Sequence, residues 1–229
     1  MKRYFIAVLL FVMFAFVGIA EARHFSSNQI KTYVNRTPRK VENYLPSLAN
    51  YLSEPFDNDY DKAKAIAFWI ASRINYDEYL YSNGKTSRLI NSYRGQKPSE
   101  LLKSRVGICG DFADLFVALC KQAGIRAKEV TGYAYPNNKF ISTQQKRNSG
   151  HAWNYFIYKG KKIYVDTTFM AKGSTGVRGV ENNQNRRRAL NKVKRDNKRK
   201  SKINNFDEFY FDFNYKDEEK SRKYKRKER

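Results

Sequence analysis

"VGICGDFADLFVALCKQAG", residues 106–124, sets one of the chain's two cysteines between two glycines and directly in front of an amphipathic run. Phe112, Leu115, Phe116, Leu119 and Ala123 recur at the helical period, and Gly124 follows where helices commonly stop. Cys120 falls inside the apolar stripe and reads as a small buried hydrophobe. Cys109 stands at the start of the helix, where backbone N–H groups lack intrahelical partners and the macrodipole is positive. That setting favours a thiolate, the nucleophilic form, and the same N–H groups can receive an oxyanion when the thiolate attacks a carbonyl. Gly107 and Gly110 are expected to keep side chains away from an approaching substrate. Eleven residues at about 1.5 Å each put the two cysteines roughly 16 Å apart on one helix, beyond the reach of a disulfide.

A nucleophilic thiol needs a base, and the chain holds two histidines. His24 lies close to the N-terminus, whereas His151 opens a strand candidate, 151–158, that follows another at 127–135 and precedes a third at 162–169. If Lys159-Gly160 is a two-residue hairpin turn, Tyr158 faces Lys161 and Asp166 falls opposite Trp153. His151 is then a diagonal neighbour of Asp166 on the same face of the sheet. A slip of one residue would send Asp166 to the other face. Cys109, His151 and Asp166 thus form a candidate set of nucleophile, base and orienting carboxylate.

Upstream, "YLPSLANYL" and "KAKAIAFWIASRINYD" read as helices. The second has Ala63, Ile66, Ala67, Ile70 and Ile74 on one apolar stripe, with Trp69 beside them. Residues 82–97 read as a polar loop, and "SELLKS" as a short helix opened by Pro98. Helices first and antiparallel strands after imply an α+β domain, with the cysteine-bearing helix packed on an antiparallel sheet. The aromatic run "FDEFYFDF", 206–213, is β-prone and is expected to rejoin that sheet.

The N-terminal 22 residues read as a signal peptide: Lys2 and Arg3, an apolar run from Phe5 to Ile19, then Ala20-Glu21-Ala22. The chain is therefore expected to be secreted or periplasmic. Residues 23–40 read as a disordered extension, 41–215 as one domain and 216–229 as a basic tail. The formal charge of +23 is concentrated: Arg186 to Lys202 holds ten Lys/Arg against one Asp. That run makes 178–204 a basic insertion within the domain. Charge at this density points to an anionic surface, such as lipid headgroups or an acidic envelope polymer. Nucleic acid is not indicated as the main partner, because no recognisable module is present and no aromatics interleave the basic run Arg186 to Lys202.

The ordered set "KAKAIAFWIASRINYD", "VGICGDFADLFVALCKQAGI", "EVTGYAY", "HAWNYFIYKGKKIYVDTTF" and "FDEFYFDF" resembles the transglutaminase-like superfamily of papain-like thiol enzymes, within it the kyphoscoliosis-peptidase-like group. The resemblance implies Cys109 as nucleophile, His151 as general base and acid, and Asp166 as the group orienting the imidazole. It implies no metal and no organic cofactor, a protein or peptide substrate, and acyl transfer from peptide or glutamine-type amides. Hydrolysis is favoured over transglutaminase-type crosslinking because it needs only water, which is abundant outside the cytoplasm. A non-catalytic binding domain on an anionic envelope surface is the remaining alternative. Gln96 is a candidate side-chain donor to the oxyanion, and the roles of Trp153 and Asn154 are left open. Phe169 stands where the family often has Trp.

Overall fold

The computed structural model of the chain describes residues 24–77, 95–134, 150–172, 206–213 and 224–226. The leader, 1–22, and the basic insertion, 178–204, lie outside the described residues, as does most of the loop expected at 82–97.

The segment expected to be a disordered extension carries helix α1, Ser27–Asn35. Ser26 caps it by accepting the Gln29 amide, and the Gln29 side chain answers the Ser26 amide at 2.9 Å. Ile30 and Val34, one turn apart, are fully buried, and Phe25 N–H donates to Asp61 at 2.9 Å. The physical reason is a capping box followed by an apolar i, i+4 pair, short enough to be hidden among polar neighbours.

Helices α2 (Leu45–Ser53) and α3 (Asp59–Arg73) follow. Asn58 caps α3, accepting the Asp61 amide at 2.8 Å. The single stripe expected of α3 is an underestimate. Ala63, Ala65, Ile66, Ala67, Phe68, Trp69 and Ile70 are all fully buried, because α1, α2 and the cysteine helix surround it. A two-residue strand β1 (Asn75–Tyr76), helix α4 (Pro98–Ser104) and strand β2 (Val106–Gly107) come next; β1 and β2 pair in parallel, tying the approach to Cys109 to the end of α3.

Helix α5, Cys109–Gln122, buries Phe112, Leu115, Phe116, Leu119 and Cys120. It ends in a left-handed Gly124 at φ 78°, while the Ile125 amide reaches back to Cys120 O at 2.8 Å. Strands β3 (Ala127–Ala134), β4 (Gly150–Tyr158) and β5 (Lys161–Val165) form the antiparallel sheet against which α5 packs. The β4–β5 turn places Lys159 and Gly160 at φ 48° and 76°, the two positive angles of a type I′ turn. The ladder runs from Tyr158↔Lys161 to Asn154↔Val165, the register expected from the sequence.

Three expected features differ. The strand expected over 162–169 stops at Val165, and helix α6, Thr167–Lys172, begins after Asp166. The Asp166 carboxylate takes the Phe169 amide at 2.8 Å, a local bond that diverts the backbone from the ladder. The 206–213 run touches the sheet at one bridge, Val165↔Phe211, and otherwise forms a 3-10 turn at Glu208–Tyr210. The segment expected to be a basic tail contributes β6, Tyr224–Arg226, antiparallel to β3 and pairing Gly132 with Arg226. Without β6 that edge of β3 would leave backbone groups unpaired, and a segment that reaches it can satisfy them whatever its charge.

Candidate active site

Cys109 opens α5, and the turn before it is fixed by one carboxylate. Asp111, 2% exposed, accepts the Ile108 amide on Oδ2 and the Gln96 amide on Oδ1, each at 2.8 Å. A Cβ at Gly107 would sit 2.7 Å from Asp111 Oδ2 and 2.9 Å from a Leu101 methyl, so glycine is required there by packing. The expectation that Gly107 clears a path for substrate is replaced by this reason. Gly110 has nothing within 4 Å of a would-be Cβ and leaves open space beside Cys109. Gln96 ties the same turn: its Nε2 donates to Val106 O at 2.7 Å while its Oε1 accepts from Ser104 Oγ at 2.7 Å. Cys109 and Cys120 are both free thiols. Cys109 is partly exposed; Cys120 is fully buried, which pushes its thiol well up.

His151 stands near the start of β4, with its Nε2 2.7 Å from Asp166 Oδ2. Its side chain is 7% exposed and Asp166 is fully buried. Burial alone would lower the imidazole pKa, but the Asp166 charge and hydrogen bond, joined by a hydrogen bond to Cys109, outweigh it and push it up to about 10. With Nε2 engaged by Asp166, Nδ1 is the ring nitrogen that serves the thiol. Phe169 stacks on the imidazole at 4.5 Å and 15°, and the Trp153 ring lies near-parallel to it at 5.9 Å and 20°, so aromatic contacts help hold the ring's plane. The Asp166 carboxylate is itself divided: Oδ1 is occupied by the Phe169 amide and Oδ2 faces His151.

The structure therefore brings Cys109, His151 and Asp166 into one chain of contacts. His24 is elsewhere: it meets the Tyr158 hydroxyl at 3.3 Å and Asp61 at 3.5 Å. Tyr158 is seven residues along β4 from His151, roughly 23 Å at strand rise. Among the described residues, no group of three His, Cys, Asp or Glu side chains is arranged to hold a metal ion. Sequence reasoning missed the structural part of Asp111 and the stacking parts of Phe169 and Trp153. Asp111 sits at the third residue of α5, where an acidic side chain can answer the cap amide, and that spacing was a usable signal. The Phe169 contact depends on α6 turning the chain back, which the β-prone sequence Thr167-Thr168-Phe169 conceals.

A model of the transglutaminase-like superfamily matches residues 46–167, just over half of the chain, including all three candidate residues. Kyphoscoliosis peptidase of Mus musculus is 26% identical over 129 residues, which are 56% of this chain and 18% of that protein. The matched stretch thus spans less than a fifth of that curated relative. A solved TGase superposes with a TM-score of 0.44 at 16% identity, covering 76% of this chain and 40% of its own. The periplasmic domain of TgpA from Pseudomonas aeruginosa gives 0.41 at 16% identity, covering 62% of this chain and 48% of its own.

Proposed function

Because the chain belongs to the transglutaminase-like superfamily, we propose that it is an exported thiol enzyme that cleaves peptide or glutamine-type amides through Cys109, His151 and Asp166. The observation that carries this reading is the contact chain from the Cys109 thiol through the buried imidazole to the Asp166 carboxylate. In the first half-reaction Cys109 Sγ bonds to the carbonyl carbon, and the C–N bond breaks as His151 passes its proton to the leaving amine. Backbone N–H groups at the start of α5 stabilise the oxyanion between the two events. In the second half-reaction His151 takes a proton from water, which attacks the thioester and returns the thiol. Asp166 holds the imidazole in the required tautomer throughout. An amine in place of water would give crosslinking; the 26% identity to a protein named a peptidase supports hydrolysis.

Iodoacetamide near pH 6.5, read by mass spectrometry of the intact folded protein, is expected to label Cys109 far faster than Cys120. Equal rates, or preference for Cys120, would remove Cys109 as nucleophile.

The basic segment Arg186 to Lys202 supports a second element of the proposal, recruitment to an anionic envelope surface. Deleting it is expected to abolish retention on anionic liposomes that the parent shows at low salt, with turnover of a small soluble substrate nearly unchanged. Unaltered retention with lost turnover would make the segment part of the substrate groove instead.

A further inference from the structure

Asn154 lies three residues beyond His151 on β4, and its side chain points to the opposite face of the sheet, toward α5. It is fully buried, and its Nδ2 donates to Ala113 O at 3.1 Å. Ala113 is one helical turn beyond Cys109. The bond therefore joins the strand carrying the imidazole to the helix carrying the thiol, within one turn of the thiol. Around it Phe112, Phe116, Phe156 and Val165 are fully buried, and Glu129, the partner of Asn154 across on β3, shares a side-chain hydrogen bond with Asp114 of α5.

Energetics make this amide an odd choice for stability. Ala113 O already serves as an intrahelical acceptor for the residue one turn on, so the Asn154 bond satisfies no orphan on the helix. Asn154 Oδ1, meanwhile, is buried with no hydrogen-bond partner among the described residues. A buried amide that gains one bond and strands one acceptor is close to break-even at best against an apolar residue of the same volume. Apolar contacts are non-directional, however, and let a helix slide or roll on a sheet at small cost. A single buried polar contact fixes one register, as a buried Asn does in coiled coils.

We propose that Asn154 is a positioning residue: it pins α5 to β4 in the register that brings the Cys109 thiol to His151. The inference rests on the function proposed above. Displacement of a reacting group by about 1 Å can cost roughly a hundredfold, so loss of the pin acts on reactivity more than on fold.

The test is Asn154→Leu, close to isosteric and apolar, with Asn154→Ser as a second variant that keeps a donor without its reach. Iodoacetamide labelling of Cys109 is expected to slow by roughly tenfold to a hundredfold in both. Its pH profile is expected to lose the inflection contributed by His151, while the Tm of the Leu variant is equal to or above that of the parent. Labelling rates and profiles matching the parent in either variant would overturn the inference and leave the proposed function standing. A fall in Tm in both variants that parallels the loss of labelling would overturn it in favour of a structural role. Failure of the parent itself to label preferentially at Cys109 would overturn both.

Discussion

Cys109→Ala and His151→Ala are each expected to reduce amide turnover by at least ~10⁴-fold, and the double variant to be no worse than either single one. The non-additivity follows from the chemistry, since an imidazole without a thiol has nothing to activate, and the thiol without the imidazole has no acid for the leaving amine. The two variants are expected to differ in stability. Cys109 is partly exposed at a helix start, so its truncation costs little. His151→Ala leaves the fully buried Asp166 carboxylate without its ring partner, a loss worth about 3–5 kcal/mol. A third variant, His151→Asn, offers a shorter donor toward Asp166 and separates the two effects. It should recover much of the Tm and none of the turnover, as read by thermal unfolding beside a product assay. Turnover within tenfold of the parent in either histidine variant would require another base, and His24 is held far along β4 against Tyr158 and Asp61.

The parts of this site that were legible in the sequence are those set by short-range rules. A Lys-Gly pair able to take two positive φ angles fixes the β4–β5 register, and with it the meeting of His151 and Asp166, residues fifteen apart. Likewise Gly124 marks the end of α5, and helical spacing marks its buried face. The parts that were not legible depend on competition between local and distant bonds. Asp166 caps a helix and so ends a strand that Thr167, Thr168 and Phe169 would otherwise extend by propensity. Strand β6 arises from a segment whose lysines and arginines argue for solvent, because an open sheet edge rewards any backbone that reaches it. Helix α1 shows the reverse case. Its capping box and its Ile30–Val34 pair are plain local signals, overshadowed by the charge of the flanking chain and by nearness to an end. Gly107 is a case of right residue, wrong reason: its lack of a side chain serves the buried Asp111, whose carboxylate organises the turn before Cys109.

Asp166→Asn is the variant that best separates orientation from presence, because both carboxylate oxygens are committed. If the amide oxygen keeps the Phe169 N–H, Nδ2 points at His151 Nε2 as a donor, and the ring must carry its proton on Nδ1, facing the thiol. If the amide flips, Nδ2 meets the Phe169 N–H, donor against donor, and the cap of α6 is lost. Either arrangement spoils the site, and a loss of about 10⁴-fold in kcat is expected, with much less change in KM. The same substitution carries a pH signature. The folded protein holds His151 up to about 10, above the 6.5 of an unperturbed imidazole, and Asp166 is the main cause of the rise. A pKa raised on folding contributes stability that is fully present below about 6.5 and is lost as pH climbs through about 10. The parent's Tm should therefore exceed that of Asp166→Asn most clearly near pH 6, with the gap narrowing steadily toward pH 10. Titration of the lysines and tyrosines affects both proteins alike and cancels in the difference. A Tm difference that stays flat from pH 6 to 10 would mean that the imidazole is not held charged by Asp166. The carboxylate would then act on this fold only as the cap of α6.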